Sequence, residues 1–314
     1  MKSSAAQALT VAGGVARLLV GLFFVVSACA KIFALDTFEV YIYSYGFMPL
    51  GLVPWAARLC IGVELLVGVT LAVGYRPRLA VLAATLLTVA FSLFLGYAAL
   101  IGRTDSCHCM GQLAHLSPVQ SLLKNALLLA LLCLAAKGAL WQLRPTAWLA
   151  VVVALLCLAL PFAVRVPDDW IFGPTDEQFG HEALAALLDE PAEADLSQGH
   201  HVLALVTPGC AYCNMAIEKL LTIERRHDLD TAAIVFLGPN PDDGYASRRD
   251  TTPGGFAYTV RQMPKPHFMA ICRGQWPTIL LLDGREVVAS CHLRNISERQ
   301  IANHLSCPEP RRER

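Results

Sequence analysis

The chain has 314 residues, of which 55% are hydrophobic and only 16% are charged, and its mean hydropathy is +0.49. This composition excludes an ordinary soluble protein and predicts insertion into a membrane. The net charge of zero gives no electrostatic reason to expect a nucleic acid as a partner. The eleven cysteines are spread over apolar and polar parts of the chain, which argues against a simple extracellular disulfide framework.

Five stretches are apolar over the roughly 20 residues that a membrane-spanning helix needs. They are residues 9–35, 54–75, 79–101, 119–141 and 146–164. The composition changes sharply at residues 165–169, so the fold class is a membrane α-helical bundle followed by a soluble α/β domain. We predict a four-helix membrane domain at residues 1–145 and a fifth transmembrane helix at 146–166. A linker at 167–178 leads to the soluble domain at 179–307, and a polar tail follows at 308–314.

The charges of the short loops predict the orientation of the spans. The segments on one side of the membrane are basic and contain no acid, and their charges are Lys2, Arg76, Arg78 and Arg144. The loops on the opposite side contain Asp36, Glu39 and Asp105 together with Arg103. This bias predicts a cytoplasmic N-terminus and a soluble domain on the opposite side of the membrane. We expect that membrane to be the bacterial inner membrane and the soluble domain to be periplasmic.

A pair of cysteines three residues apart, Cys210 and Cys213, lies at a predicted turn from a strand to a helix. An apolar run at 201–206 precedes the pair, and apolar residues at helical spacing occupy 214–226. The positive end of the helix dipole would stabilise a thiolate on Cys210, and Cys213 could close a disulfide with it. The alternatives are half of a zinc site or a structural disulfide.

The cysteines that follow bear on these alternatives. Zinc would need a second pair at matching spacing, whereas Cys272, Cys291 and Cys307 are isolated. These three leave an odd thiol once Cys210 and Cys213 pair, so the sequence does not choose any further disulfide among them. The histidines of this domain, at positions 200, 201, 267 and 292, are scattered and are predicted to be surface residues.

Residues 274–288 contain Pro277 at the start of an apolar run and an Asp-Gly pair at 283–284 between two such runs. The second feature predicts a hairpin with a type I′ turn, whose register would put Cys291 opposite Trp276. Together with the cysteine pair, this segment resembles the thioredoxin superfamily over about residues 179–305. The resemblance implies an α/β thioredoxin-like domain with a cis bond before Pro277, facing Cys210.

Three further elements are predicted in the soluble domain. Residues 175–188 form an amphipathic helix, with Thr175 and Gln178 spaced as a capping box at its start. Residues 232–237 form a second buried strand. Residues 239–255 are rich in turn residues and predict a long loop, which either contacts a substrate or is a disordered insertion.

The loop between the third and fourth spans contains Cys107, His108 and Cys109, on the same predicted side of the membrane as the soluble domain. A disulfide between residues two apart requires a bent backbone, so it would be strained and easily reduced. Protonated His108 would favour the thiolate of either neighbour. A soft-metal site and a merely structural loop are the alternatives.

Two charged residues lie within the spans, where a charge is costly and usually faces a partner or a cavity. Arg17 belongs to the inner part of the first span and Glu64 to the middle of the second, and we predict that they form an ion pair. The functional alternative is that Glu64 relays a proton during thiol chemistry.

Four more cysteines belong to the spans. Cys29 and Cys60 lie at a similar predicted depth, so they could meet; packing is the ordinary role of a buried cysteine, and an additional redox pair is the alternative. Residues 26–29 also resemble a lipoprotein cleavage site, which would acylate Cys29 and remove the first span. Four further spans would make that anchor redundant. Cys133 and Cys157 are predicted to pack only.

The membrane part resembles the MauE/DoxX family of four-helix membrane proteins over about residues 9–141. The matching features are Arg17, Gly21 and the segments 27–31, 62–68 and 107–111. The C-x-C pair points to the redox-associated MauE-like branch, although Met110 stands where members often have an aromatic residue. In the methylamine-utilisation system such a protein works beside a separate thioredoxin-like partner. The resemblance therefore implies that this chain fuses both.

These features predict a membrane-bound thiol:disulfide oxidoreductase that relays electrons between Cys210/Cys213 and Cys107/Cys109. Its partners would be thiols or disulfides of exported proteins, within membrane lipid. The sequence specifies no cofactor. The strained C-x-C pair favours flow from the soluble domain to the membrane, for which a quinone is a candidate acceptor, and a reductive relay fed from the cytoplasm is the alternative because it uses the same external thiols. The alternative is a metal-handling membrane protein that uses the Cys-His-Cys loop. A third and weaker alternative is an assembly factor whose thioredoxin-like domain only binds client proteins.

Overall fold

The computed structural model describes residues 2–103, 116–138, 142, 145–164, 179–190, 195–207, 209–242 and 244–306. It divides into two compact units. The first unit consists of Met1–Tyr41 and Pro54–Val166, and the second consists of Ile42–Val53 and Pro167–Arg314. The short segment Ile42–Val53, which connects the first two spans, therefore packs with the soluble domain.

The described part of the N-terminal half is helical. Its helices are α1 (Lys2–Phe33), α2 (Leu35–Tyr43), α3 (Val53–Val73), α4 (Pro77–Leu100), α5 (Pro118–Ala135) and α6 (Ala147–Val164). All except α2 are long and apolar enough to cross a membrane, which confirms the prediction of five spans. The α2 helix was missed, because the sequence analysis treated residues 36–39 only as part of a charged loop.

Close packing of α1 against α3 depends on glycine. A Cβ atom added at Gly21 would lie 2.6 Å from the backbone nitrogen of Ala72, and one at Gly68 would lie 2.9 Å from the carbonyl oxygen of Gly21. Small residues let the backbones of membrane helices approach this closely, so that dispersion contacts and polar side chains can hold them together. These two glycines therefore set the separation of α1 and α3.

The boundaries of α5 follow from its sequence. The hydroxyl of Ser117 accepts a hydrogen bond from the backbone of Gln120, whose side chain bonds back to Ser117, so a capping box starts the helix. The helix ends at Ala135, whereas we predicted a span up to residue 141. Gly138 follows within a turn, and glycine disfavours the helix because of its backbone entropy.

The second unit is built around a six-stranded mixed sheet. Its strands are β1 (His200–Leu205), β2 (Ile234–Asn240), β3 (Ala246–Thr251), β4 (Ala257–Pro264), β5 (Thr278–Asp283) and β6 (Glu286–Cys291). Their order across the sheet is β3-β4-β2-β1-β5-β6, with β2 parallel to both β1 and β4 and the other pairs antiparallel. The helices are α7 (His181–Asp189), α8 (Ala211–His227), α9 (Lys265–Cys272) and α10 (Glu298–Leu305).

The central strands β1 and β5 are apolar and are buried on both faces. Leu203 and Leu280 are fully buried in a core that also contains Phe268 of α9. The α8 helix crosses from β1 to the parallel strand β2, which places the start of α8 at the end of a rigid central strand. This arrangement confirms the predicted class, a membrane bundle followed by an α/β thioredoxin-like domain.

The predicted loop at 239–255 is wrong in its second half, because that half contains β3. This strand lies at the edge of the sheet and is almost fully exposed, so its sequence is polar and lacks the alternation that marks a half-buried strand. The β4 strand and the α9 helix after it were not predicted either. The three elements lie between β2 and β5, and the hairpin of β3 and β4 is called the β3–β4 insertion below.

The predicted hairpin register is also wrong. The turn residues are Gly284 and Arg285, not Asp283 and Gly284, and only Gly284 has a positive φ, of 57°, so the turn is not type I′. An irregularity in the ladder next to Leu281 and Leu282 shifts the register further. Cys291 therefore pairs with Ile279, whereas we predicted Trp276.

The α7 helix begins later than predicted. It starts at His181, and Gly180 occupies the N-cap position without a side-chain cap. The predicted start at residue 175 is therefore wrong, and the two residues of the predicted capping box, Thr175 and Gln178, lie outside the described residues. The amphipathic character of the helix is retained, since Leu184, Leu187 and Leu188 are buried.

Candidate functional site

Cys210 occupies the N-cap position of α8. Its backbone is extended, with φ −81° and ψ 115°, and its sulfur accepts a hydrogen bond from the backbone N–H of Cys213 at 3.1 Å. The first amides of a helix have no partner within the helix, and they stabilise negative charge placed at its N-terminus. Cys210 is half-buried, and its sulfur thus lies against the first amides of α8.

Cys213 lies one turn into the helix and is fully buried. Its sulfur lies 3.5 Å from the backbone nitrogen of Thr207, which donates to it, and 3.7 Å from the hydroxyl of Thr207. Burial raises the pKa of the Cys213 thiol to about 12, and the contact with Cys210 contributes to the increase. The two thiols are both free, so this geometry is the reduced form of the pair.

Thr207 is a site residue that was not predicted from the sequence. It follows β1 directly, and its N–H and hydroxyl both face the sulfur of Cys213. A threonine six residues before Cys213 gives no sequence signal that the two side chains meet. Its contact with Cys213 becomes visible only because the end of β1 and the start of α8 meet.

The peptide bond between Trp276 and Pro277 is cis, as the thioredoxin resemblance implied. The Nδ1 atom of His292 lies 3.5 Å from the carbonyl oxygen of Pro277. Trp276 remains 38% exposed, and Tyr212, between the two cysteines of the pair, is 54% exposed. Both aromatic side chains therefore leave apolar area at the surface.

The other described cysteines of the second unit are buried and free. Burial raises the pKa of Cys291 to about 11 and also raises the pKa of Cys272. Both thiols are therefore neutral near pH 7 and pack as small hydrophobic residues. Cys307 lies outside the described residues. Of the four histidines predicted at the surface only His267 is exposed, and His200, His201 and His292 are half-buried.

In the first unit the predicted ion pair between Arg17 and Glu64 is wrong. The carboxylate of Glu64 lies 2.7 Å from the Nζ atom of Lys31, and it also accepts a hydrogen bond from Ser27 at 2.8 Å. Arg17 precedes Lys31 by 14 residues, which is about 21 Å along a helix, so its side chain cannot reach the same carboxylate. Arg17 is nevertheless fully buried.

The cluster of Ser27, Lys31 and Glu64 is almost completely buried. Lys31 also donates to Ser27 at 2.8 Å, and its Nζ atom lies 5.8 Å from the ring centre of Phe91. The sequence signal that would have found it is the spacing of Ser27 and Lys31, one turn apart on the face of α1 that meets α3. Lys31 lies in the last turn of α1, where long cations usually extend to the surface, yet here it is buried.

A second buried ion pair joins Arg58 of α3 to Glu39 of α2. The same guanidinium donates to the carbonyl oxygen of Pro54 at 3.0 Å. Because α2 had not been predicted, this pair was missed as well. Glu39, which follows the first span, thus fixes α2 to α3.

The cysteines of the spans are free thiols. Cys29 and Cys60 are half-buried on α1 and α3, Cys157 is buried and Cys133 is exposed. Cys60 lies one helical turn before Glu64 on α3, next to the charged cluster. These positions allow either packing or thiol chemistry for Cys29 and Cys60, so an additional redox pair stays a prediction.

Cys107, His108 and Cys109 lie outside the described residues. Within the ranges that the structure describes, no group of three or more His, Cys, Asp or Glu residues could hold a metal ion. The donor set of the Cys-His-Cys loop is therefore known only from the sequence.

The described fold and site define a membrane protein with a helical bundle and a thioredoxin-like domain that carries a C-x-x-C pair. Residues 9–138 match the family described as Methylamine utilisation protein MauE, which confirms the predicted resemblance of the membrane part. Protein TlpB of Flavobacterium psychrophilum is 33% identical over 127 residues, which are 37% of this chain and 34% of that protein. The chain thus matches about a third of the length of this curated relative. No solved structure matches the chain.

Proposed function

We propose that the chain is a membrane-bound thiol:disulfide oxidoreductase whose outer pair is Cys210 and Cys213 and whose membrane pair is Cys107 and Cys109. The observation that carries this proposal is the asymmetry of the two thiols at the start of α8. The sulfur of Cys210 is half-buried and accepts a helix amide, whereas Cys213 is fully buried with a pKa of about 12. An attacking and a resolving cysteine need this difference.

The proposed cycle oxidises an exported client protein. A client thiolate attacks Cys210 in the Cys210–Cys213 disulfide, and Cys213 leaves with the electron pair and takes up a proton. A second client thiolate then attacks the mixed disulfide, so that the client gains a disulfide and the outer pair holds two electrons and two protons. These pass to a Cys107–Cys109 disulfide by the same exchange, and a membrane quinone is the candidate final acceptor.

The sidedness of the proposal follows from the charges of the loops. The basic segments around Lys2, Arg76 and Arg144 favour a cytoplasmic location, whereas residues 36–39 and 105 are acidic. With five spans, the second unit then follows on the extracytoplasmic side, together with the Cys107–Cys109 loop. Exported proteins meet both cysteine pairs only in that arrangement.

The test is to trap clients. A Cys213→Ser variant cannot form the outer disulfide, so it traps clients through the reverse of the cycle. The Cys210 thiolate attacks a client disulfide and releases one client thiolate, and without the resolving thiol Cys210 should remain linked to the client as a mixed disulfide that dithiothreitol releases. We expect these adducts in membranes of cells that express the variant, and mass spectrometry identifies the attached proteins. The Cys210→Ser variant is the matched control and should give no adducts. Equal adducts from both variants, or none from either, would contradict the assignment of the outer pair.

A further inference from the structure

A pocket of about 280 Å³ lies beside the cysteine pair. One wall is formed by Thr207, Gly209 and Asn214, which surround the start of α8, and the other wall is formed by the β3–β4 insertion. Gly209 is the direct neighbour of Cys210 in the chain. Pro277 does not line this pocket, so the pocket lies beside the cysteine pair but does not include the cis-proline.

Three polar side chains of the lining have no hydrogen-bond partner among the described residues. They are the amides of Asn214 and Gln262 and the phenol of Tyr258, and all three are half-buried. The Tyr258 ring is fixed by an edge contact with Phe236, at 5.4 Å between ring centres. Half-buried amides and hydroxyls that lack a protein partner are satisfied by water or by a ligand.

The chemistry of these groups selects the kind of ligand. Primary amides and a phenol both donate and accept hydrogen bonds, and none of them carries a charge. The charged groups of the lining, Arg248 and Asp250, lie 3.5 Å apart and compensate each other at the exposed rim. Burial, followed by the nearby charge of Asp250, raises the pKa of Tyr258, so that its phenol remains a donor. The pocket therefore matches an uncharged group that both donates and accepts.

The size of the pocket restricts the ligand further. Pockets for small molecules and cofactors usually measure about 300–1,000 Å³. A volume of 280 Å³ lies just below that range, so the pocket suits a single side chain with its peptide group. Because Gly209 lines the pocket, such a group would belong to a chain whose sulfur is bonded to Cys210.

We propose that this pocket is a client subsite that binds an uncharged amide, an asparagine or glutamine side chain or a peptide group, next to the client cysteine joined to Cys210. The inference rests on the proposed function and adds the substrate preference of the same site. The β3–β4 insertion thereby determines specificity, with Gln262 and Tyr258 as its binding residues. Preference for a client sequence then comes from the soluble domain itself.

The experiment uses the full-length reduced protein in detergent and measures the reduction of three disulfides. Two are oxidised peptides that differ only in having glutamine or leucine beside one cysteine, and the third is 5,5′-dithiobis(2-nitrobenzoic acid), which has no peptide group. Cys210 attacks each disulfide and releases one thiolate, and Cys213 displaces the second. The substrate gains two electrons and two protons while the pair becomes a disulfide.

We expect the wild type to prefer the glutamine peptide. In Gln262→Ala, the second-order rate constant for the single reduction of that peptide should fall about tenfold, the effect of losing one or two hydrogen bonds. The values for the leucine peptide and the aromatic disulfide should stay within about twofold of wild type. Tyr258→Phe should lower the same preference. Its matched control is Tyr245→Phe, because the Tyr245 hydroxyl donates to Glu190 at 2.8 Å and lies outside the pocket.

The outcomes separate this inference from the proposed function. If both pocket variants keep the wild-type preference, or if they slow all three substrates equally, the subsite is wrong and the oxidoreductase remains. If the wild type reduces none of the three disulfides, the proposed function itself fails, and the subsite fails with it. Unchanged unfolding temperatures of the variants establish that the comparison concerns binding.

Discussion

At the scale of single residues, the site depends on how far each sulfur is buried. Cys210 and Cys213 are three residues apart, yet one accepts a helix amide at the surface and the other lies in the core against Thr207. The spacing alone predicted the helix N-terminus and the roles of the two cysteines. It could not predict the contact of Thr207, because that contact depends on how β1 and α8 meet.

The partner of Glu64 shows where residue-level prediction failed. We reasoned from charge and depth, and both Arg17 and Lys31 were available in the first span. The structure selects Lys31 because Ser27 and Lys31 lie on the face of α1 that contacts α3. A helical wheel shows which residues share a face of a helix. Which of those faces contacts α3 is known only once the packing of the bundle is known.

This ion pair leads to a prediction about stability. Removing one partner of a buried pair leaves an uncompensated charge and typically costs about 3–5 kcal/mol. We expect Lys31→Gln and Glu64→Gln each to lower the unfolding temperature strongly in detergent. The double variant should lose less than the sum of the two, because no charge is left buried.

The control for this prediction is the pair that we first proposed. The effects of Arg17→Gln and Glu64→Gln should add, since their side chains do not meet. Additive losses for Lys31 and Glu64 would contradict the observed pair. Normal stability of Glu64→Gln with lost thiol turnover would instead favour the alternative of a proton relay.

At the scale of elements, the apolar helices and central strands were predictable and the surface elements were not. The five spans and the strands β1, β2 and β5 are long apolar runs. The α2 helix is largely apolar but has only nine residues, so it is too short to be recognised as a span. The edge strand β3 is polar and almost fully exposed, so its pattern does not differ from that of a loop. The pocket proposed as a client subsite lies next to β3 and was missed for that reason.

The hairpin of β5 and β6 shows why strand register cannot be obtained by counting residues from a predicted turn. Moving the turn by one residue and adding an irregularity beside Leu281 changed the partner of Cys291 from Trp276 to Ile279. Neither event has a strong sequence signal, since Asp-Gly is compatible with more than one two-residue turn. Predictions about cross-strand neighbours therefore degrade with distance from the turn.

The approach of α1 to α3 gives a prediction at this scale. Gly21→Ala would place a methyl group 2.6 Å from a backbone nitrogen, and relieving such a clash costs about 1–3 kcal/mol. The matched control is Gly96→Ala in α4, where nothing lies within 4 Å of the added atom. We expect Gly21→Ala to lower the thermal unfolding temperature in detergent, and Gly96→Ala to leave it unchanged or raise it, because alanine favours helices. Equal effects of both would show that α1 and α3 are not closely packed.

At the scale of the whole molecule, the chain order does not match the two compact units. Residues 42–53 lie between two spans, yet they belong to the unit of the soluble domain. Glu298 of α10 accepts hydrogen bonds from the backbone of Leu50 at 2.5 Å and from Arg226 at 2.8 Å, and Arg226 also donates to Gly46. Composition predicted a membrane part and an α/β part. It could not predict the hydrogen bond between Leu50 and Glu298, because these residues lie 248 positions apart in the sequence.

These contacts predict a dependence on pH. Burial alone would raise the pKa of Glu298, but the bonds from Leu50, Arg226 and His227 outweigh it, so the pKa is lowered from its ordinary value of 4.5. A carboxyl group with a lowered pKa stabilises the fold above the pKa of the unfolded chain, and this contribution is lost as the pH falls through the folded pKa. The second unit should therefore lose stability below about pH 4.5.

The variant Glu298→Gln tests this dependence by thermal unfolding of the full chain between pH 7 and pH 3. We expect a lower unfolding temperature at pH 7 and a shallower loss in acid than in the wild type, because the titrating group is gone. Glu286→Gln, at an exposed position of β6, is the control and should behave like the wild type. Parallel pH profiles for Glu298→Gln and the wild type would contradict the role of this carboxylate.

The account as a whole requires that the pairs Cys210/Cys213 and Cys107/Cys109 exchange electrons. The most direct measurement is the redox state of the outer pair in living cells, read by thiol alkylation and mass shift, in the wild type and in Cys109→Ser. We predict that the wild type cycles between both states, whereas Cys109→Ser leaves the outer pair in one state. The Cys133→Ser control should cycle normally. Unchanged cycling in Cys109→Ser would contradict the relay.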